Sequence, residues 1–251
     1  MSGRFNCNNI IEYDHVDSTN EVAENLIKKD HPTEGTVVAA NFQYQGKGTG
    51  KNIWVSNPGE NLLVSIILYP AAIDPGNQFV LNKMVSLSVL ETVRFFTNDE
   101  NITIKWPNDI YAGFKKISGI LIKNVISGTT IKSSVVGIGL NVNQVRFGYN
   151  LPNPVSLKML TGKTFHPKEV LHHLCSRLKY YYNMMTRNEY QILDQLYIEN
   201  LLNFGKKAKY KSEGKYFWGE ICGVSDIGRL QVKDNHLVRE FDMKEIEYLF
   251  D

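Results

Sequence analysis

Apolar residues recur along this chain in two rhythms, and their order predicts its elements. Ile10–Val16 reads as a short strand. Val22, Leu26 and Ile27 then fall at helical spacing behind Asp17-Ser18-Thr19-Asn20, with Ser18 and Glu21 in the positions of a capping box. Thr36–Phe42 and Leu62–Leu68 are continuous, β-branched and apolar, the pattern of buried strands. Gln78–Phe96 carries Phe79, Val80, Met84, Leu87, Val89, Leu90, Val93 and Phe96 and predicts one long helix. Ile102–Lys105 is a strand that Trp106-Pro107 must end, because proline removes a donor and holds the residue before it extended. Asn108 and Asp109 then read as turn formers. Ile117–Val125 and Thr129–Val136 form two strands parted by Ser127-Gly128, and the small residues of Gly137–Asn143 end the second.

Further on, Val155–Leu160 predicts a short helix stopped near Gly162, and Pro167–Met185 and Glu189–Asn203 predict two longer ones. From Gly205 the rhythm shortens. Lysines 206, 207, 209, 211 and 215 interrupt brief strands between recurring turn residues, which predicts a small barrel packed on the main unit. The division is expected at residues 1–203 and 204–251. The lysines read as solvated strand edges rather than a nucleic-acid surface.

Composition narrows the class. The 251 residues are 43% hydrophobic with a net charge of +2, so no global field points to nucleic acid or an acidic membrane. Cys7, Cys175 and Cys222 are far apart and form no CxxC, which argues against a disulfide scaffold or cysteine zinc site and fits a reducing cytosol. There is neither a secretory h-region at the start nor a run of 18 apolar residues. A cytoplasmic protein is expected. His172 and His173 sit mid-helix without a carboxylate or cysteine at ligand spacing and read as packing or surface residues.

The candidate chemistry gathers around Gln43–Trp54, where Gly46, Gly48 and Gly50 alternate with Lys47, Thr49 and Lys51. Such a run can offer amide N–H groups and cationic charge to a phosphate or carboxylate. It is not a P-loop, since Gln45 and Asn52 stand where glycine and Ser/Thr are needed, and it opens no helix as a Rossmann turn must. A hairpin tip with solvated lysines is the competing reading. Elsewhere, Lys105, Asn108 and Asp109 collect a cation, an amide and a carboxylate at one strand end. Lys116 opens the next strand, and Gly119 within it marks a bulge or a close approach.

Together these segments resemble the biotin–protein ligases from Ile11 to Phe250. The motifs that carry the likeness are Asp17–Asn20, Gln43, Gly46-Lys47-Gly48 through Trp54, Lys105–Asp109, Lys116–Leu121 and Gly137–Asn141, in the family's order. The resemblance implies an α+β fold: a mixed-sheet ligase domain of the class II aminoacyl-tRNA synthetase type, with an SH3-like C-terminal barrel. It implies activation of biotin by MgATP to biotinyl-adenylate, then transfer to a lysine of a biotin carboxyl carrier protein domain. Lys116 and Lys47 are the implied catalytic cations. Ser18, Thr19, Asn20, Gln43, Gly46, Lys47, Gly48, Lys116 and Gly119 are implied for biotin. Gly46 through Asn52, Trp54 over adenine, Asn108 and Asn141 are implied for the nucleotide, with Asp109 a candidate for Mg²⁺ through water. Thr49 departs from the arginine usual in the family, which puts retention of the adenylate in doubt unless Lys51 compensates. A ligase core beginning near Ile11 leaves no room for a helix-turn-helix, so no operator binding is expected; the unit would be a monomer or homodimer. A lipoate–protein ligase and a non-catalytic nucleotide-binding regulator are the alternatives. The Gly-Gly-Gly core of the first is absent, and the second does not need Lys116 and Asn108.

Overall fold

The computed structural model describes residues 5–50, 52–148, 151, 153–235 and 237–250. Its main sheet is assembled from β1 (Ile10–Val16), β2 (Val37–Gln43), β3 (Leu62–Leu68), β4 (Ile102–Lys105), β5 (Asp109–Ala112), β6 (Lys115–Ser127) and β7 (Thr130–Leu140). These lie in the order β1-β2-β3-β7-β6-β5-β4. Only β1 and β2 run parallel, because the helix α1 (Thr19–Asp30) carries the chain back between them. All other neighbouring pairs are antiparallel, so the sheet is mixed.

Leu62–Leu68 is buried at every position, as its apolar run, interrupted only by Ser65, predicts. Strand alternation sends its residues to two different covers. Leu62, Val64, Ile66 and Leu68 join a core built with α2 (Phe79–Thr97) and α4 (Pro167–Thr186), whereas Ile67 meets Ala23 beneath α1. Each large side chain buried this way contributes about 1.5–3 kcal/mol relative to an exposed one. The same alternation turns Ser65, the only polar residue of β3, toward the N-terminus of α1.

Helices α3 (Leu157–Thr161) and α5 (Tyr190–Glu199) complete the main unit, and Gly162 ends α3 in the left-handed conformation. Strands β8 (Lys207–Ser212), β9 (Lys215–Val224), β10 (Leu230–Asp234), β11 (Leu237–Phe241) and β12 (Glu247–Tyr248) form a second, antiparallel sheet, ordered β11-β10-β9-β8-β12. It is fastened at the Trp106-Pro107 turn: the Trp106 indole N–H donates to Gly228 O at 3.0 Å, and Phe79 packs where a Gly228 side chain would stand. Tyr197, fully buried, donates to Pro107 O at 2.8 Å from the other side. The fold class is therefore the one the sequence implied.

Three local expectations are corrected. Ser18 is the N-cap of α1 but makes no side-chain cap bond, and Glu21 reaches Lys47 rather than back to the helix start. Asp109 does not continue a turn. It begins β5 in register with Gly119, an added strand that the turn chemistry of Pro107-Asn108 concealed. Gly137–Leu140 do not end β7 but extend it, pairing fully with β3 and β6.

Candidate active site

The residues before α1 and the end of β2 meet because β1 and β2 are parallel neighbours. There the Thr19 N–H and hydroxyl both donate to Gln43 Oε1, at 2.7 and 3.0 Å. The Ser65 hydroxyl lies 2.8 Å from Thr19 Oγ1 and 2.7 Å from Asn20 Oδ1, so its single proton is shared between them. Ser18, Thr19, Asn20 and Ser65 are all buried, yet Asn20 Nδ2 has no partner. A buried N–H donor left unpaired is costly in water's absence and suits an acceptor supplied from outside. Gly137 gives Asn20 its room, since a Cβ there would overlap the amide.

This polar shell lines a cavity shared with Lys47, Trp54, Asp109 and Lys116. Its floor is the glycine face of β6 and β7. Trp54 lies on that floor, so close to Gly139 that a Cβ would enter the indole, and 3.0 Å from where a Gly119 Cβ would be. The Trp54 indole N–H is buried and likewise unpartnered. Trp54 is delivered by a closed hairpin: its N–H donates to Gly46 O at 2.8 Å, the Gly48 N–H to Asn52 O at 2.8 Å, and Lys47 bridges Ile53. The competing hairpin reading of the glycine run thus holds for its backbone. The expected use of the Gly48 amide for an anion is corrected, because the hairpin register already occupies it. Lys51 lies outside the described residues.

Charged side chains line the same cavity and its surroundings. Lys116 Nζ is 2.7 Å from Asp109 Oδ1 and 5.7 Å from the Trp54 ring, and both charged side chains are about one quarter exposed (27% and 24%). Lys47 pairs with Glu21. Lys105 sits between the rings of Tyr111, Tyr248 and Phe250 at 5.3–5.6 Å. Burial pushes its ammonium below the ordinary lysine value, and Lys116 adds to this against the opposing pull of Asp109. Asn108 Nδ2 donates to Ile120 O at 2.5 Å and stands 3.4 Å from Thr49 Oγ1.

Three cavities meet at Trp54 and Lys116. The first holds the polar shell just described. The second is lined by Asn52, Ile53, Asn141, Phe147 and Pro154, and is the more apolar of them. The third runs past Thr49, Lys105, Asn108 and Asp109 to the C-terminal sheet at Lys244 and Glu247. Every described residue expected at the site therefore lies in it or beside it. Asn141 enters only through the second cavity, and its amide is spent on Val155 O at 3.0 Å, which makes it a scaffold for that wall. Asp109 is the one carboxylate lining the first cavity among the described residues, and no cluster of three metal-ligating side chains occurs among them. Ser65 and Glu21 were not foreseen as site residues. A lone hydroxyl within Leu-Leu-Val-Ser-Ile-Ile-Leu was the available signal for Ser65.

His172 and His173 are where packing and surface residues belong. His172 is exposed, and His173 stacks on Phe95 at 4.1 Å. No helix is long and apolar enough to cross a membrane among the described residues.

Comparison with known proteins adds four findings. The model of the biotin/lipoate A/B protein ligase family matches residues 13–141. The chain is 28% identical over 246 residues to the bifunctional ligase/repressor BirA of Bacillus subtilis, covering 95% of this chain and 73% of that protein. It is also 33% identical over 139 residues to the human biotin–protein ligase, covering 50% of this chain and 19% of that one. In structure it is similar to the biotin protein ligase of Aquifex aeolicus solved with biotin and ATP, at a TM-score of 0.79 and 27% identity, covering 96% and 98% of the two chains.

Proposed function

Because the chain belongs to the biotin/lipoate A/B protein ligase family, we propose that its three-way cavity is the active site of an ATP-dependent biotin–protein ligase. One observation carries the choice of biotin: a shell of buried Thr19, Asn20 and Ser65 with half-buried Gln43 retains an unpaired N–H on Asn20, in a cavity that Lys116 also lines. Such a shell suits a ureido ring, whose carbonyl accepts and whose two N–H groups donate. An aliphatic tail running along the cavity then carries its carboxylate to the lysines that line it. That the human relative and the Aquifex aeolicus neighbour are biotin–protein ligases supports the same choice.

In this reading biotin and MgATP enter as substrates. A biotin carboxylate oxygen attacks the α-phosphorus, the bond from that phosphorus to the β-phosphate oxygen breaks, and pyrophosphate leaves. Two anionic groups must approach each other, so the residues' work is electrostatic. Lys116 exchanges Asp109 for the carboxylate and the α-phosphate oxygens, and Lys47 releases Glu21 in the same way. Asn108 and Thr49 hold polar atoms along the phosphate path, while Trp54 leaves the glycine floor and covers the adenine in the second cavity. Mg²⁺ accompanying ATP would offset phosphate charge, and Asp109, freed by Lys116, is the carboxylate that would hold it through water. In the second half-reaction a lysine amine of a biotin carboxyl carrier protein domain attacks the acyl carbon. The carbon–oxygen bond to AMP breaks, and the amine proton passes to solvent. The C-terminal sheet, at the mouth of the third cavity, borders the route the carrier lysine takes; residues 204–251 are assigned to this unit.

The test is pyrophosphate release from ATP with biotin against ATP with lipoate, followed by mass analysis of a carrier domain. Turnover with biotin and a biotinyl mass increment on one carrier lysine is expected. Preference for lipoate would transfer the site to the other branch of the family.

A further inference from the structure

Resting on the ligase reading, we propose that Lys244, in the turn between β11 and β12, is a phosphate-binding residue that holds the departing pyrophosphate portion of ATP. The first ground is the charge at the site. Before substrate binds, Lys47 is paired with Glu21 and Lys116 with Asp109, Lys116 being committed on release to the carboxylate and α-phosphate; Lys105 is enclosed by three rings, and Thr49 presents a neutral hydroxyl to the same cleft. A triphosphate tail carries several negative charges, and expulsion of pyrophosphate concentrates one more on the oxygen that leaves the α-phosphorus.

The second ground is reach. Lys244 comes from the other sheet, yet its Nζ stands 2.8 Å from the position a Cβ on Gly50 would occupy. A side chain at Gly50, whose φ is +69°, would therefore exclude the ammonium from the hairpin tip. Lys244 lines the third cavity together with Thr49, Lys105, Asn108 and Lys116. That cavity opens at the phosphate end rather than at the polar shell.

The third ground is that the turn is braced and its acids are engaged elsewhere. The Glu245 N–H donates to Asp242 O at 3.0 Å, and the Asp242 N–H to Glu245 Oε2 at 2.7 Å. Arg229 holds the Asp242 carboxylate at 2.8 Å, and Glu247 faces Lys211 at 3.6 Å. Lys244 itself adopts φ +78°, in the left-handed region. The nearby carboxylates thus have other partners, and the ammonium is presented to the glycine hairpin. In the reaction it would accept the charge of the leaving group while biotin's oxygen takes the α-phosphorus. Its position across two sheets would also make closure of the C-terminal unit depend on phosphate.

The experiment compares Lys244→Met and Lys244→Arg in the full chain. The methionine change should lower kcat/KM for ATP about tenfold, the worth of one partly exposed charged contact, and leave KM for biotin unchanged. Arginine should restore most of the loss, and the difference should shrink as salt rises. Calorimetric titration of inorganic pyrophosphate into the protein without biotin gives a readout independent of turnover: binding is expected for the parent and about tenfold weaker binding for Lys244→Met. Equal pyrophosphate affinity in both proteins, or none in either, overturns the proposal. If biotin and ATP give no turnover, the ligase reading fails, while weakened pyrophosphate binding in Lys244→Met still upholds the anion site. Lys244→Gln, tested alongside, separates loss of charge from any effect of the methionine side chain.

Discussion

Lys116 Nζ rests 2.7 Å from Asp109 Oδ1, across a strand pair in which Asp109 is in register with Gly119. The missing side chain leaves room for the Trp54 ring and the Lys116 ammonium, 3.0 and 3.2 Å from where a Gly119 Cβ would stand. A lysine held by one carboxylate, beside a cavity shaped for another, is poised to trade partners with little movement. Lys116→Ala should therefore lower adenylate formation about a hundredfold, or roughly 3 kcal/mol of transition-state stabilisation. Thermal melting should change little, because the pair is partly solvated. Pyrophosphate release near the parent rate would remove Lys116 from its role.

Trp54 lies on Gly139 and Gly119 with its indole N–H unpartnered. Gly139→Ala should lift the indole off the strand, since the new methyl would fall inside the ring. The fluorescence component absent from a Trp54→Phe control should then become more accessible to acrylamide. Biotin with a non-hydrolysable ATP analogue should change that same component in the parent. Identical quenching in parent and Gly139→Ala would show that the indole does not rest there.

Thr19 joins Gln43 to Ser65 through its hydroxyl. Thr19→Val keeps the shape and removes the hydroxyl, leaving the polar shell one member short. Biotin affinity measured by calorimetry should weaken about tenfold, the equivalent of one hydrogen bond of roughly 1–1.5 kcal/mol. ATP binding alone should be unaffected, and an unchanged biotin affinity would move the ureido site elsewhere.

His173 stacks on Phe95 at 4.1 Å, with Thr92 Oγ1 3.4 Å from Nδ1 and with Arg177 and Glu91 nearby. Burial first, and Arg177 second, hold its pKa below the ordinary 6.5, against Glu91. The unfolded chain therefore takes up the proton first as pH falls. Stability should decline from about pH 6.5 down through the lowered folded pKa and level off below it. Denaturant titrations of His173→Phe should lack this step, and an identical acid profile in both proteins would show that another group causes it.

The order of elements was legible in the sequence because apolar periodicity reports burial locally. The largely apolar run of Leu62–Leu68 and the long pattern of Gln78–Phe96 each predict their element within a residue or so. The candidate site was legible as motifs, each at a strand end or a helix start, where backbone groups are free to meet a ligand. The sequence by itself also determined that Lys116 and Gly119 belong to one strand, whereas the glycines expected to end its partner continue it through pairing with β3 and β6.

Only the tertiary structure decided what those motifs do to each other. The parallel pairing of β1 and β2 brings Thr19 to Gln43, 24 residues away. Alternation along β3 aims Ser65 at them, although nothing within that strand indicates which cover Ser65 faces. Turn chemistry at Asn108 concealed β5, because strand formation there depends on pairing with β6, a long-range contact that outweighs local propensity. Charge pairing was hidden for the same reason. The partners of Lys47 and Lys116 are set by through-space distance, as is the approach of Lys244 to Gly50, 194 positions earlier in a different sheet. Periodicity reports which side of an element is buried, but Coulomb and hydrogen-bond energies depend on separations that exist only once the sheets have formed.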